Sequence, residues 1–330
     1  MMGKYLVTGG AGFIGSNIVA AFADAGHDVI VSDWLRTDER WKNLAKHVVQ
    51  DILHPEQLAG WLRKNGASLD GVIHMGAISL TTETDVDALI DNNIRLSIDL
   101  WTFCAEAKVP FLFASSAATY GDGTAGFTDF EDSANLAKLH PLSAYGWSKH
   151  SIDKRIARLR DNNGLTPPQW VGVKFFNVYG PNEYHKGPMK SVIAQNARKI
   201  AGGETLHLFK SYHPKYKDGH QLRDFIYVKD CVKIIQWFFA HPEKSGLFNI
   251  GTGSARSWLD MAHAMFAAAD MPEKVEFIDM PQDLRAKYQY CTEANMAKLR
   301  AAGYAAPITS LEDGIRDYMQ NYLLTDDPYL

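Results

Sequence analysis

The chain has 330 residues, of which 46% are hydrophobic and 22% charged, with a formal net charge of −4 and three cysteines. That length suffices for two packed regions, or for one large core with a smaller lobe. The weak negative charge leaves no electrostatic footprint for nucleic acid or an anionic membrane, and no apolar run approaches the roughly 18–20 residues that span a bilayer. Cys104, Cys231 and Cys291 lack the close spacing of a zinc site or a disulfide framework. They suit a reducing cytoplasm. The start, Met1-Met2-Gly3-Lys4, leads into a strand without a charged-then-apolar leader, so secretion is not expected.

In chain order, Tyr5–Val7, Val29–Val31, Val48-Val49, Gly71–His74 and Phe111–Ala114 read as strands buried on both faces. Helical stretches lie between them at Ser16–Ala25, Glu56–Asn65 and Asp91–Ala107, and a further one at Ser148–Leu159. This alternation predicts βαβ units and a doubly wound parallel sheet, an α/β fold. Val171–Phe176 is a sixth strand and Phe248–Ile250 a short last one. From Gly180-Pro181 to His220 the chain turns polar and aromatic, with a helix at Met189–Gly202 inside; strand ends of α/β proteins open onto a crevice, so ligand contacts are expected there. A helix at Trp258–Ala269, a strand at Val275–Ile278 and a helix near Ser310–Asn321 complete a smaller mixed C-terminal lobe. The expected division is 1–176 plus about 225–256 for the sheet domain, and 177–224 with 257–330 for the lobe.

Gly9, Gly12 and Gly15 form G-x-x-G-x-x-G, and Gly10-x-Gly12-x-x-Gly15 overlays a second reading. Glycines permit a tight turn and a close backbone approach, so amides at the helix start can hold a pyrophosphate; a merely structural turn would look the same. The run follows a strand, precedes a helix and is followed by Asp33 at the end of the next strand, which points to a dinucleotide. Asp33 suits a ribose 2′-hydroxyl and hence NAD, whereas Arg36 and Arg40 suit a 2′-phosphate and hence NADP. Asp51-Ile52 is placed to meet the adenine edge, Gly76-Ala77 lets the chain pass close to the cofactor, and Ser79 and Asn92 are polar contacts or local caps.

Tyr145 and Lys149, in Tyr-Gly-Trp-Ser-Lys, follow the strand end Ser115-Ser116. A hydride leaves carbon easily only if the hydroxyl proton leaves as well. A tyrosine titrating near 10 needs help to take that proton, and Lys149, one helical turn on, is expected to lower its pKa and to hold a nicotinamide ribose. Ser116 is expected to donate to the same substrate oxygen. His207, His213 and His220 lie in a polar loop without a carboxylate-rich companion set, so no metal is expected.

With these motifs in view, the whole chain resembles the extended short-chain dehydrogenase/reductase superfamily of nucleotide-sugar epimerases and dehydratases. Within it, Phe113–Gly121, Phe176–Pro181, His185-Lys-Gly187, Arg223–Tyr227 and Leu299–Gly303 look like the ADP-glycero-manno-heptose 6-epimerases. The resemblance implies a Rossmann-type fold and tightly held NADP, with NAD as the alternative. It implies an isomerase that oxidises C6″ to a transient ketone and returns the hydride to the other face, supplying heptose for the lipopolysaccharide core. The family's two bases match Tyr145 and Lys186. Cofactor contacts extend to Phe13, Ile14, Met75, Val178 and Lys186. Substrate contacts carry over to Asn177, Phe209, Lys210, Ser211, Tyr212, Arg223 and Tyr288, with Pro188 where some members have serine and Gln195 where some have histidine. The loop His213–Leu222 is longer than the family's. Relatives self-associate, so a homo-oligomer is implied.

A nucleotide-sugar 4,6-dehydratase would need an acid and a base beside the serine, where this chain has Ala117 and Ala118. A UDP-hexose 4-epimerase needs only one tyrosine; Lys186 and Arg223 argue against it mildly. A regulatory module that binds NADP(H) without turnover would be expected to lose Tyr145 or Lys149, and both are present.

Overall fold

In the computed structural model, which describes residues 2–285 and 288–330, the β-branched and aromatic runs of the first half assemble into one seven-stranded parallel sheet. Its strands are β1 (Lys4–Thr8), β2 (Asp28–Ser32), β3 (Asp51–Leu53), β4 (Gly71–His74), β5 (Phe111–Ser116), β6 (Trp170–Phe175) and β7 (Gly246–Ile250). Their spatial order is β7-β6-β5-β4-β1-β2-β3. Every pairing is parallel. All strand ends therefore open on one side, and the order reverses between β1 and β4, where a crevice forms. Met1, Ala286 and Lys287 lie outside the described residues.

Helices cover both faces because β4 and β6 are buried along their whole length, which leaves no solvated side. Leu6, Ile18, Val31, Ile73, Trp101, Phe113 and Val173 belong to the resulting core, each such side chain contributing about 1.5–3 kcal/mol. A second cluster gathers Ile193, Leu206, Met265, Phe266, Ile315 and Tyr318 together with Phe13 and Phe225. There Leu206–Phe209 pairs in parallel with Val275–Ile278. Two short ladders join lobe and sheet: Asn177–Tyr179 with Phe225–Tyr227, and Leu222-Arg223 with Arg256-Ser257.

Four expectations are corrected. Val48-Val49 is not a strand. Val48 is 90% exposed, and pairing with β2 begins at Asp51; an edge strand paired on one side tolerates polar residues, so its composition hides it. Asp51 and Ile52 consequently lie within β3, exposed, rather than after it. The helix expected from Met189 starts at Val192, because Gly187 adopts φ 54° and Ser191 caps the helix through Ala194 N. The helix expected over Asp91–Ala107 begins earlier, at Val86–Leu89, and passes through a widened π segment, Ile90–Arg95, before regular helix at Leu96–Ala107.

Candidate active site

The glycine turn is built around steric limits. Gly9 has φ 66°, and a Cβ there would stand 2.6 Å from Gly76 Cα; a Cβ on Gly15 would meet Gly9 O at 2.1 Å. Chain crossing and helix start are thus pressed together, as a close approach to a pyrophosphate requires. Gly12 N-caps the helix Phe13–Asp24 without a side-chain cap, which leaves first-turn amides directed at the crevice. Gly10 backs onto Val31, Phe13 is buried and Ile14 half-buried. These features fit a dinucleotide.

Asp33 lies at the end of β2. Its Oδ2 accepts from Ala11 N at 2.9 Å and its Oδ1 from Trp34 N at 2.7 Å. Burial raises its pKa, while those amides and Arg40 oppose the rise. Arg40 is forked onto Asp38 and stands 3.8 Å from Asp33, whereas Arg36 is exposed with a left-handed φ of 48°. Met75 N donates to Thr8 O at 3.0 Å, and Gly76 N to Thr8 Oγ1 at 3.2 Å, so β1 and β4 are tied at the switch point. Ala77 is half-buried and Ser79 exposed.

Asn92 spends its amide on Ala88 O. Its neighbour Asn93 is the wholly buried one: Oδ1 accepts from Ile78 N, and Nδ2 donates to Ile78 O and to Ser148 Oγ at 2.9 Å. Asn93 thereby fastens the segment after β4 to the helix Ala144–Asp161. Asn43, also buried, donates to Ala11 O at 2.9 Å and to Asn182 O at 3.1 Å. Sequence reasoning missed both, since a lone asparagine carries no local signature.

Ser116, the last residue of β5, caps the turn Ala117–Tyr120 by accepting from Ala118 N at 3.1 Å. Tyr145 and Lys149 come from the first two turns of the helix Ala144–Asp161, which Ser143 caps through Gly146 N. Burial raises the Tyr145 pKa, and the opposing influence is the Ser116 hydroxyl. This corrects the expectation that Lys149 makes the phenol acidic: the Lys149 ammonium instead points at the strand, donating to Ala114 O at 2.9 Å. Its own pKa is pushed down to about 8 by burial, with Asp153 resisting. His74, bonded to Thr8 Oγ1 at 2.6 Å and to Ser97 Oγ at 2.8 Å, is held neutral by burial, at about 3.

Beneath the serine lie Asp153 and Lys174, an ion pair with both side chains wholly buried. A lysine interrupting the apolar run Val171–Phe176 was the available signal for it.

Lys186 sits half-buried with its ammonium 5.1 Å from the Phe13 ring centroid. Burial lowers its pKa and Glu183 opposes. The Glu183 carboxylate is buried and accepts from Ser191 N and Ser191 Oγ, each at 2.6 Å, so it closes the loop that carries Lys186. Val178, half-buried, follows Asn177, an exposed residue whose Oδ1 accepts from Thr292 Oγ1 at 3.2 Å.

In the lobe, Arg223 is 7% exposed and meets no carboxylate among the described residues; it donates to Leu222 O at 2.8 Å, with its guanidinium 4.9 Å from the Tyr288 ring and 5.7 Å from the Trp258 ring. The Tyr288 hydroxyl accepts from Trp258 Nε1 at 3.0 Å. A buried cation flanked by rings and lacking a counter-ion suits an anionic ligand. Phe209 is half-buried and its carbonyl accepts from Gln221; Ser211 N donates to Asp218 Oδ1 at 2.7 Å. Tyr212 and Lys210 instead converge on Asp279, at 2.8 and 3.2 Å. Pro188 is exposed, and Gln195 folds back onto the carbonyls of Pro188 and Lys190. The structure therefore gathers Ser116 with Tyr145, Lys186 with Phe13, and Arg223 with Tyr288, while Asp51, Ile52, Tyr212 and Gln195 face outward. Among the described residues no cluster of His, Cys, Asp and Glu is arranged for a metal, and no helix is long and apolar enough to cross a membrane.

The chain is 47% identical over 329 residues to the ADP-L-glycero-D-manno-heptose-6-epimerase of Nitratidesulfovibrio vulgaris strain DP4, covering 99% of this chain and 100% of that one. The crystal structure of the Helicobacter pylori ADP-L-glycero-D-manno-heptose-6-epimerase superposes with a TM-score of 0.78 at 26% identity, covering 97% and 96% of the two chains. That of Thermus thermophilus UDP-glucose 4-epimerase in complex with NAD superposes with a TM-score of 0.74 at 26% identity, covering 95% and 96%. The model of the NAD dependent epimerase/dehydratase family matches residues 5–251. With its glycine cradle, its serine–tyrosine–lysine set and these likenesses, the chain belongs to the NAD-dependent epimerase/dehydratase family.

Proposed function

We propose that this protein is an ADP-glycero-manno-heptose 6-epimerase that inverts C6″ through a transient ketone, with NADP as its cofactor, and so supplies heptose for the lipopolysaccharide core. The observation that carries the reading is the place of Lys186. A second basic group stands at the start of the glycine-turn helix, with its pKa lowered by burial, as suits a proton-transfer group. The likeness to ADP-heptose epimerases over almost the whole chain, at 46–47% identity, supports the substrate. Residues 1–176 with about 225–256 would carry the cofactor, and 177–224 with 257–330 would close over the nucleotide-sugar. Three unpaired thiols accord with a cytoplasmic setting.

A nicotinamide dinucleotide, when bound, supplies a reversible hydride acceptor. The amides after Gly12 and the turn at Gly9 and Gly76 would hold its pyrophosphate; Asp33 would meet the ribose, and Arg36 with Arg40 a 2′-phosphate. Arg223 takes the diphosphate of the substrate, for which its planar fork is suited. Ser116 donates to the reacting oxygen. Tyr145, whose pKa burial raises, gives its proton on one face of the carbon as the phenol and takes it back as the phenolate. Lys149 anchors beneath it on Ala114 O and would hold the nicotinamide ribose. Lys186 serves the other face, so the two proton-transfer groups divide the two directions.

Product analysis tests this. Incubation with ADP-glycero-manno-heptose is expected to give the C6 epimer, and incubation with UDP-glucose no epimer; turnover of the UDP-sugar alone would overturn the substrate assignment. Arg36→Ala is expected to weaken NADP about tenfold while leaving NAD within about twofold. Equal losses for both would return the cofactor to NAD.

A further inference from the structure

Successive residues at the end of β5 are each held from within the core. The Lys149 ammonium donates to Ala114 O at 2.9 Å. The Ser115 hydroxyl donates to Asp153 Oδ2 at 3.0 Å. The Thr119 hydroxyl donates to Ser116 O at 2.8 Å and accepts from Lys174 Nζ at 2.8 Å. Asp153 and Lys174 complete the arrangement as an ion pair of 2.5 Å. Asp153 lies one helical turn beyond Lys149, so one face of the helix Ala144–Asp161 presents both groups to the strand.

Stability does not account for this pair. Desolvating two charges opposes folding, and an apolar pair of similar volume commonly serves a core as well or better. Neither side chain reaches water. Among the described residues Asp153 Oδ1 has no hydrogen-bond partner, so the carboxylate is not placed to satisfy itself fully. What the pair does reach, through two hydroxyls, is the backbone and neighbour of Ser116.

We propose that the Asp153–Lys174 pair, acting through Ser115 and Thr119, is a positioning unit that fixes Ser116 and the Lys149 ammonium for proton transfer at the substrate oxygen. The inference rests on the reading of Ser116, Tyr145 and Lys149 as the reacting set. Two opposite charges pull on strand and turn from different elements, β6 and the helix, which pins the strand end in direction as well as depth. A neutral core would hold the depth alone.

Thr119 is the junction that can be cut without altering either charge. Thr119→Val is expected to lower kcat for ADP-heptose epimerisation about tenfold with KM within about twofold, a displaced donor costing turnover more than binding. Thr119→Ser, which keeps the hydroxyl, is expected to restore most of the rate. The double variant Asp153→Leu/Lys174→Met, which fills the volume without charge, is expected to lose about a hundredfold in kcat while still binding NADP; if it does not fold, the Thr119 variants decide. Wild-type kcat in Thr119→Val overturns the proposal. So does a loss that serine does not rescue, or one matched by an equal loss of cofactor affinity, since either assigns the network to structure alone. Ser116→Ala and Tyr145→Phe separate the two levels: if these retain full turnover, the reacting set is misassigned, whereas if they are inactive and Thr119→Val is not, only the positioning role fails.

Discussion

The Lys186 ammonium stands 5.1 Å from the centre of the Phe13 ring, and Phe13 is the first residue of the helix that follows the glycine turn. The glycine turn and the proposed second base are therefore one neighbourhood, although they are far apart in the chain. Glu183, which closes the Lys186 loop onto Ser191, ties the same neighbourhood to the lobe through Tyr318, whose hydroxyl donates to Glu183 Oε1 at 3.2 Å.

That geometry sets a pH response. Burial lowers the Lys186 pKa and Glu183 raises it. A base acts in its neutral form, so the rate rises as pH climbs through the Lys186 pKa. Removing the opposing charge in Glu183→Gln is expected to lower that pKa further and move the rising limb to more acidic pH. The pH dependence of kcat checks this; a limb that moves upward refutes it. Lys186→Met is expected to abolish net epimerisation, a loss on the order of 100-fold or more.

Gly15 and Gly12 should differ sharply. A Cβ at Gly15 meets Gly9 O at 2.1 Å, whereas at Gly12 the nearest atom, also Gly9 O, is 3.1 Å away. Gly15→Ala is expected to weaken dinucleotide binding about a hundredfold or to prevent folding, and Gly12→Ala to cost about tenfold or less. Fluorescence titration with NADP measures both, and equal losses would contradict the steric account.

Arg223 offers a fork flanked by Tyr288 and Trp258. Lysine keeps the charge but loses the bidentate grip and the flat stacking surface. Arg223→Lys is therefore expected to raise KM about tenfold with kcat changed less than about threefold. Steady-state kinetics on the ADP-sugar distinguish this from a fall in kcat alone, which would place Arg223 outside the diphosphate site.

His150 is buried and neutral, its pKa pushed down to about 4, with Nδ1 lacking a partner among the described residues. A folded pKa below the unfolded value means the unfolded chain binds more protons between about 4 and 6.5, so this histidine's contribution declines as pH falls through that window. Between pH 6.5 and 5 the loss is about 2 kcal/mol. Urea unfolding at pH 7 and 5 is expected to show a pH sensitivity smaller by about that amount in His150→Asn. An unchanged sensitivity would show that His150 is protonated in the folded state.

Local spacing made the glycine turn, the alternating elements and the Tyr145/Lys149 pair legible, because each is a pattern within a few residues of itself. The edge strand was not: β3 has exposed Asp51 and Ile52, and pairing on one side imposes no apolar signature, so the eye settles on Val48-Val49 instead. The orientation of Lys149 was also hidden. Spacing puts it on the face of Tyr145, but the carbonyl of Ala114, supplied by another element, decides where its ammonium goes. Asn43, Asn93 and Asp153 act on partners distant in sequence, and no local rule reaches that far.

The three thiols are unequal in a useful way. Cys104 and Cys231 are sealed in the interior with their pKa values driven far up by burial, whereas Cys291 is partly exposed and lies beside Tyr216 and Arg223. An alkylating dye added to the folded protein thus has a single address, at the rim of the lobe. The unmodified chain already carries its own reporter: the speed of labelling at Cys291 tracks whether that rim is covered.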